Sequence, residues 1–228
     1  MLGFTPADYS AILLSLRVAV VATMLSLPFG FAVAYIMTYK RFRGKIALDV
    51  LVNLPLTLPP VVIGYLLLLL LGQNGWIGKW VLQPLGIRLI FTWKAAVIAT
   101  AVVGFPLMVR SIRTGMETID ERLIQASRTL GAGWLDTIIT VIVPLSVRGL
   151  IAGSALMFAR GQGEFGATII VAGNIPGVTQ TIPLAIYEYV SSPRGDAMAL
   201  SLCVVSIAIS VAVLLFHEWL SRRTVRVD

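Results

Sequence analysis

The chain has 228 residues, of which 57% are hydrophobic and 13% charged, and its mean hydropathy is +0.90. A soluble domain of this composition would expose large apolar patches, so the composition predicts a polytopic membrane protein surrounded by lipid. The formal net charge is +7, but the basic residues stand beside hydrophobic runs and form no aromatic-rich basic face. Nucleic acid is therefore excluded as a partner.

Five segments are apolar enough to be membrane spans, since a helix needs about 20 apolar residues to cross a hydrocarbon core of about 30 Å. In chain order they are 18–39, 50–71, 95–109, 149–173 and 197–216. The segment 72–94 holds three tryptophans and leaves a sixth span open. The sequence thus predicts an all-α bundle of five or six transmembrane helices in one domain, residues 1–228, because the loops are too short for a second one.

Lysine and arginine are unevenly divided among the segments that join these spans. Twelve lie in 40–45, in 110–148 and after residue 216, whereas four lie in 72–94 and 174–196. By the positive-inside rule the richer segments are cytoplasmic. With five spans, this distribution predicts a multi-pass protein of the cell membrane with an external N-terminus and a cytoplasmic C-terminus.

The second span contains a proline doublet, Pro59 and Pro60. Each proline removes a backbone N–H, and backbone exposed to lipid cannot leave its polar groups unpaired, so this span should face protein or water. Two interpretations stay open, namely kinks in a static bundle or helices that line and open a pathway. The second interpretation makes both prolines candidates for the pathway.

Two charged residues, Arg160 and Glu164, interrupt the fourth of the five segments. An isolated charge at the bilayer centre costs about 2.5–3.5 kcal/mol, so the two should pair on one helix face or face water. Besides neutralising Glu164, Arg160 is a candidate for attracting an anion along a pathway. Gly161 and Gly163 allow a bend or a close helix contact there and complete the pathway candidates.

Metal and cofactor sites are not expected. The chain has one cysteine and one histidine, so it offers no Cys/His cluster with the spacing of metal ligands. The glycine pattern of 161–166 matches a dinucleotide fingerprint in spacing, but no strand precedes it.

Residues 117–133 form a polar island in this apolar chain. Their spacing predicts an amphipathic helix that offers an apolar stripe to a partner. The stripe consists of Ile119, Leu123, Ala126 and Leu130, opposite Asp120, Glu121, Gln125 and Arg128. A solvated amphipathic helix, or one lying on the lipid surface, is the plainer alternative.

The island resembles the cytoplasmic loop motif of ATP-binding-cassette (ABC) importer permeases, which reads Glu-Ala-Ala, three residues, Gly, nine residues, Ile, one residue, Leu-Pro. Ala126, Gly131 and Pro144 match this pattern, apolar valines occupy the Ile and Leu positions, and Gln125 and Ser127 depart from it. The resemblance implies a coupling loop at about 113–146 whose short helix docks on a separate ATPase subunit. The residues expected to couple are Gln125, Ala126, Ser127, Leu130, Gly131, Ala132 and Pro144.

The resemblance extends to most of the chain and is greatest to the molybdate/tungstate permease branch. It rests on LPLTLPPVVIGYLLL at 54–68, GFPLMVRSIRTGME at 104–117, ASRTLGAG at 126–133 and FARGQGEFGATIIVAGNIPGVTQTIPLAIY at 158–187. It implies a type I importer fold in a bacterial or archaeal inner membrane and a homodimer that encloses a pathway for a tetrahedral oxyanion. The implied partners are a second copy, two ATPase subunits and an external oxyanion-binding protein.

Two other transport functions are alternatives to this one. Sulfate and thiosulfate permeases are similar in the same segments and remain an alternative substrate class. A secondary transporter that works alone is less favoured, because only Glu164 could serve as a coupling carboxylate within a span. No GxxxxGK[ST] loop and no paired nucleophile and base occur, so the chain is not expected to be an enzyme, and ATP hydrolysis is expected on another subunit.

Overall fold

The computed structural model describes residues 4–193 and 195–225, and this part of the chain is helical without strands. The long helices are α1 (Pro6–Tyr39), α4 (Trp93–Glu117) and α11 (Asp196–Val225). The shorter ones are α2 (Lys45–Thr57), α3 (Pro60–Leu71), α5 (Glu121–Thr129), α6 (Trp134–Thr137), α7 (Val143–Leu145), α8 (Val147–Gln162), α9 (Gly166–Val171) and α10 (Ile182–Val190). Two π-helical turns, Gly78–Leu82 and Ile138–Ile142, complete the elements.

Three of these helices are long and apolar enough to cross a membrane, and two bent helix pairs raise the number to five if each pair is one span. The prediction of five spans therefore agrees with the described residues. Segment 72–92 contains only one short π-helical turn, so it supplies no sixth span. The first span is longer than predicted because Thr5 and Asp8 form a capping box that starts α1 at Pro6.

The second span is broken rather than straight. Its two halves, α2 and α3, meet at 114° around Leu58 and Pro59. Each of these residues precedes a proline, which disfavours the α conformation, and both are extended. Single prolines are tolerated elsewhere, since Pro28 lies inside α1 and Pro106 inside α4. The doublet is therefore what breaks the helix.

The prediction of one helix across 149–173 is wrong. α8 begins at Val147 and ends at Gln162, a turn follows, and α9 begins at Gly166. Residues 134–145 are also helical and join α8 at 68°. Within them, the π-helical turn Ile138–Ile142 precedes Pro144 and widens the helix where a proline ring would otherwise clash with the carbonyl four residues earlier.

Helix α4 lies at the centre of the bundle and packs against α1 and α8. Met108 is fully buried there between Gly30 of α1 and Gly153 of α8. Nearer the end of α4, Gly115 and Gly149 lie backbone to backbone. Small residues at these crossings let the helices approach closely, which drives association where no hydrophobic effect operates.

Replacing Gly149 with leucine should destabilise the bundle. A β-carbon there would lie 2.9 Å from the Ser111 carbonyl oxygen and 3.0 Å from Gly115 Cα, and neither backbone atom can yield cheaply. We expect a loss of about 1–3 kcal/mol, measured as a lower unfolding midpoint in a fixed detergent. Gly163→Leu is the matched control, because only the Arg160 carbonyl oxygen, at 3.9 Å, approaches a β-carbon there. Equal midpoints for the two variants would contradict the packing argument.

Candidate coupling surface and charged turn

The helix α5 confirms that the polar island is helical. Asp120 caps its N-terminus by accepting a hydrogen bond of 2.9 Å from the Arg122 N–H. Its C-terminus ends in a Schellman motif, in which the N–H of Gly131 donates to the Arg128 carbonyl and the N–H of Ala132 to the Ser127 carbonyl. Gly131 has φ +91°, so the helix ends at a left-handed residue that strongly favours glycine.

Large apolar side chains are exposed along α5 and the helical segment after it. We refer to them as the α5 surface, which consists of Leu123, Leu130, Trp134, Leu135 and Ile139. Leu130 is 88% exposed. Groups of exposed apolar side chains such as this one mark surfaces that contact a protein partner or a membrane. One member of the predicted stripe, Ile119, is instead buried and belongs to the core, because it lies before α5 and packs inward.

The remaining motif residues surround this surface. Gln125, Ala126, Gly131 and Pro144 are exposed, and Ser127 and Ala132 are partly buried. Pro144 lies in the first turn of α7, within the helical segment 134–145. A recess of about 190 Å³ opens between α5 and this segment, lined by Tyr39, Glu121, Ile124, Gln125, Arg128, Trp134, Thr137 and Ile142.

Hydrogen bonds tie the α5 surface to the ends of the long helices. The Ser127 and Thr137 hydroxyl oxygens are 3.1 Å apart, and the Trp134 Nε1–H donates to the Tyr35 hydroxyl at 2.8 Å. Tyr39, the last residue of α1, donates from its hydroxyl to the Met116 carbonyl at 3.1 Å. A displacement of α5 would therefore be transmitted to α1 and α4 through side chains that sequence reasoning did not select.

Replacing Trp134 with phenylalanine should weaken this link. The variant keeps the edge-on ring contact with Tyr35 but loses the indole donor, so the cost should be about 0.5–1.5 kcal/mol. We expect faster amide hydrogen exchange in 121–137 with an unchanged global unfolding midpoint. Leu135→Phe is the control, since Leu135 is exposed and its side chain makes no hydrogen bond. Unaltered exchange in the Trp134 variant would contradict a role in anchoring α5.

The charged pair forms as expected, but not on one helix. Arg160 Nη2 lies 2.9 Å from Glu164 Oε2. Glu164 lies beyond the end of α8, in the turn, where its Oε1 accepts a hydrogen bond of 2.8 Å from the Ala167 N–H in the first turn of α9. The Glu164 side chain is 1% exposed and that of Arg160 is 31% exposed. Glu164 therefore links the guanidinium to the start of α9.

The other pathway candidates lie around this turn in different roles. Gly161 packs against Thr100 of α4 and Ala19 of α1, so it serves a helix crossing. Gly163 and Pro59 are exposed. Pro60 meets Gly166, where a β-carbon would lie 2.9 Å from Pro60 Cβ, and α3 packs across α9. The fold thus brings together the breaks in two chain segments that are about a hundred residues apart.

A second polar cluster joins the start of α1 to α10. Asp8 is buried and accepts a hydrogen bond of 2.9 Å from the Tyr189 hydroxyl, and the Ser15 hydroxyl accepts one of 2.7 Å from the Ile182 N–H. Burial raises the pKa of Tyr189, and the hydrogen bond to Asp8 acts in the same direction. Thr179 to Thr181, in the segment that leads into α10, are buried. No periodic pattern signals these contacts, because they join residues far apart in sequence.

Known proteins of similar sequence or structure identify the family. The family of binding-protein-dependent transport system inner membrane components matches residues 26–226. The chain is 48% identical over 218 residues to the molybdenum transport system permease protein ModB of Escherichia coli strain K12, covering 96% of this chain and 95% of that one. It is 38% identical over 178 residues to the sulfate transport system permease protein CysW of Synechococcus elongatus, covering 78% of this chain and 62% of that one.

Solved structures show the same fold at low sequence identity. The TM-score is 0.72 with the inward-facing MetNI methionine ABC transporter, at 16% identity and 94% coverage of each chain. It is 0.77 with a bacterial ABC transporter involved in alginate import, at 14% identity and coverage of 96% of this chain and 80% of that one. The chain therefore belongs to the binding-protein-dependent transport system inner membrane components, the permeases of ABC importers, and its sequence groups with the molybdate permeases among them.

Proposed function

We propose that the chain is the permease subunit of an ATP-driven importer for a tetrahedral oxyanion, molybdate or tungstate. The observation that carries the coupling part of this proposal is the exposed α5 surface, together with the left-handed glycine that ends helix α5 at the position of the family motif. The sequence similarity to ModB proteins carries the choice of substrate. ATP hydrolysis takes place on separate subunits that dock at α5.

The orientation proposed from the basic segments agrees with the contacts. The hydrogen bonds from Tyr39 to Met116 and from Trp134 to Tyr35 bring the end of α1, the end of α4 and the α5 surface to one end of the bundle. Segments 40–45 and 110–148 are the basic ones, so this end is the cytoplasmic one in our proposal. The N-terminus and α10 then lie outside, where a binding protein delivers the anion.

Two copies are proposed to form the pathway, because at most five spans are few for a complete one and a two-fold axis supplies the second half. The Pro59–Pro60 break and the charged turn, which lie against each other, are the segments we assign to that pathway. Arg160, partly exposed, offers the positive charge, and Glu164 moderates it so that the anion is released.

Sulfate is the second candidate substrate, favoured by the similarity to a sulfate permease but at lower identity and coverage. A secondary transporter that works alone is disfavoured by the family match across 26–226.

The test is reconstitution of the permease with its ATPase and binding protein in vesicles. Loaded binding protein should stimulate ATP hydrolysis and uptake with molybdate or tungstate, and much less with sulfate. The permease alone should hydrolyse no ATP and move no oxyanion. Uptake at full rate by the permease alone, without nucleotide, would refute the proposal, and equal stimulation by sulfate would refute the choice of substrate.

A further inference from the structure

The turn between α1 and α2 carries an unusual concentration of positive charge. We refer to residues 40–46 as the basic turn, whose cationic side chains are Lys40, Arg41, Arg43 and Lys45. Three of the four are exposed and Lys45 is partly so. Within 4–193 and 195–225, none of them forms an ion pair.

Three acids near the basic turn already have contacts of their own. Asp49 contacts Arg113 at 3.6 Å and accepts a hydrogen bond from the Asn53 side chain at 3.1 Å. Glu117 pairs with Arg113 at 2.7 Å, and Asp120 caps α5. In the described part of the chain no ion pair neutralises the four cations of the basic turn, so anionic groups from outside the chain can bind there.

Apolar side chains on the same turn indicate what that partner is. Phe42, between the basic residues, is 42% exposed, and Ile46, directly after them, is 81% exposed. The turn directly follows α1, a helix long enough to span the membrane. Apolar groups that enter the acyl region beside cations that reach the phosphates are the arrangement of a membrane-interface segment.

The start of α2 adds to the positive potential. No side chain caps this helix, its first turn contains no acidic residue, and Lys45 is its first residue. The positive end of the helix dipole is thus directed at the same turn without an internal anion to balance it.

We propose that the basic turn is a binding surface for the phosphate headgroups of anionic lipids, which anchor the junction of α1 and α2. This role is distinct from directing the orientation of the chain during insertion, because it acts in the folded protein. It requires only that the chain lies in a membrane, so it stands or falls independently of the transported solute.

The test compares lipid binding by two triple variants of the purified full-length permease. The basic-turn variant removes three positive charges from the basic turn and combines Lys40→Gln, Arg41→Gln and Arg43→Gln. The control variant removes the same charge from the opposite end of the bundle and combines Lys79→Gln, Arg88→Gln and Lys94→Gln. Phosphatidylglycerol and phosphatidylcholine are titrated into detergent-solubilised protein, and the unfolding midpoint reports binding by linkage.

Phosphatidylglycerol should stabilise the wild type and the control variant. This stabilisation should fall at about 1 M salt, where the Debye length is about 3 Å. The basic-turn variant should bind phosphatidylglycerol about 100-fold more weakly, at about fivefold per residue. Equal affinity of the wild type for the two lipids would overturn the proposal whatever the variants do. Unchanged affinity of the basic-turn variant for phosphatidylglycerol would also overturn it.

Discussion

Replacing Gly131 with valine should uncouple ATP hydrolysis from transport while the permease stays folded. A β-branched residue at φ +91° is strained by about 1–2 kcal/mol, and no atom lies within 4 Å of a β-carbon at this position. The strain can be relieved by unwinding the last turn of α5, which breaks the two hydrogen bonds of the Schellman motif and displaces Leu130. A penalty of this size lowers the docking-competent population roughly 5–30-fold.

The measurement is the ratio of oxyanion taken up to ATP hydrolysed by the reconstituted complex, together with the unfolding midpoint of the permease. Gly133→Val is the matched control, because Gly133 is extended at φ −68° and ψ 172°, has equally free space and accepts valine without strain. Gly131→Asn should be milder than valine, since asparagine tolerates the left-handed conformation, and aspartate is a weak probe for the same reason. A normal ratio in the Gly131 valine variant, or equal damage from Gly133→Val, would refute the role of this cap.

Replacing Arg160 with methionine should be much more damaging to stability than replacing Glu164 with glutamine. The first change leaves a carboxylate that is 1% exposed without its counter-ion, at a cost of about 1.5–3 kcal/mol. We expect less than the 3–5 kcal/mol typical of fully buried pairs because Arg160 is 31% exposed. Glutamine still accepts the Ala167 N–H, and the partly exposed Arg160 guanidinium is left to water, so that variant should lose about 1 kcal/mol or less.

The double variant distinguishes the two roles of the pair. Combining Arg160→Met with Glu164→Gln removes both charges and should restore most of the stability lost in the single arginine variant. If Arg160 also attracts the anion, the double variant should be stable yet slow in uptake, with ATP hydrolysis still stimulated by the binding protein. If the stable double variant took up the anion at the wild-type rate, the pair would have a structural role and no role in transport.

The helices and their breaks were largely predictable because they follow from local chemistry. Hydropathy located the spans, and the proline doublet predicted an interruption where α2 meets α3. The end of α5 also follows from local chemistry, because the left-handed φ of Gly131 strongly favours glycine. The turn at Glu164 was missed because the local spacing fits a helix, whereas Glu164 caps α9 through a hydrogen bond that spacing does not encode.

The contacts between distant segments were not predictable. The crossing of Gly115 and Gly149 and the burial of Thr179 to Thr181 depend on which helices meet, and a single sequence carries no record of this. The wider family assignment succeeded for a different reason, since a spacing motif of Ala, Gly and Pro is specific even where individual contacts are unknown. The role of each site residue stays a prediction for the experiments above.

The crossing of α3 and α9 has a mechanical consequence. A β-carbon on Gly64 would lie 2.6 Å from the Ala167 carbonyl oxygen and 2.8 Å from the Ala167 Cα, so the two backbones are in direct contact. Neither helix can slide or rotate alone without a collision, because packed interiors resist small deformations. The bend at the proline doublet and the turn that contains Glu164 should therefore move together as one rigid unit when either of them is displaced.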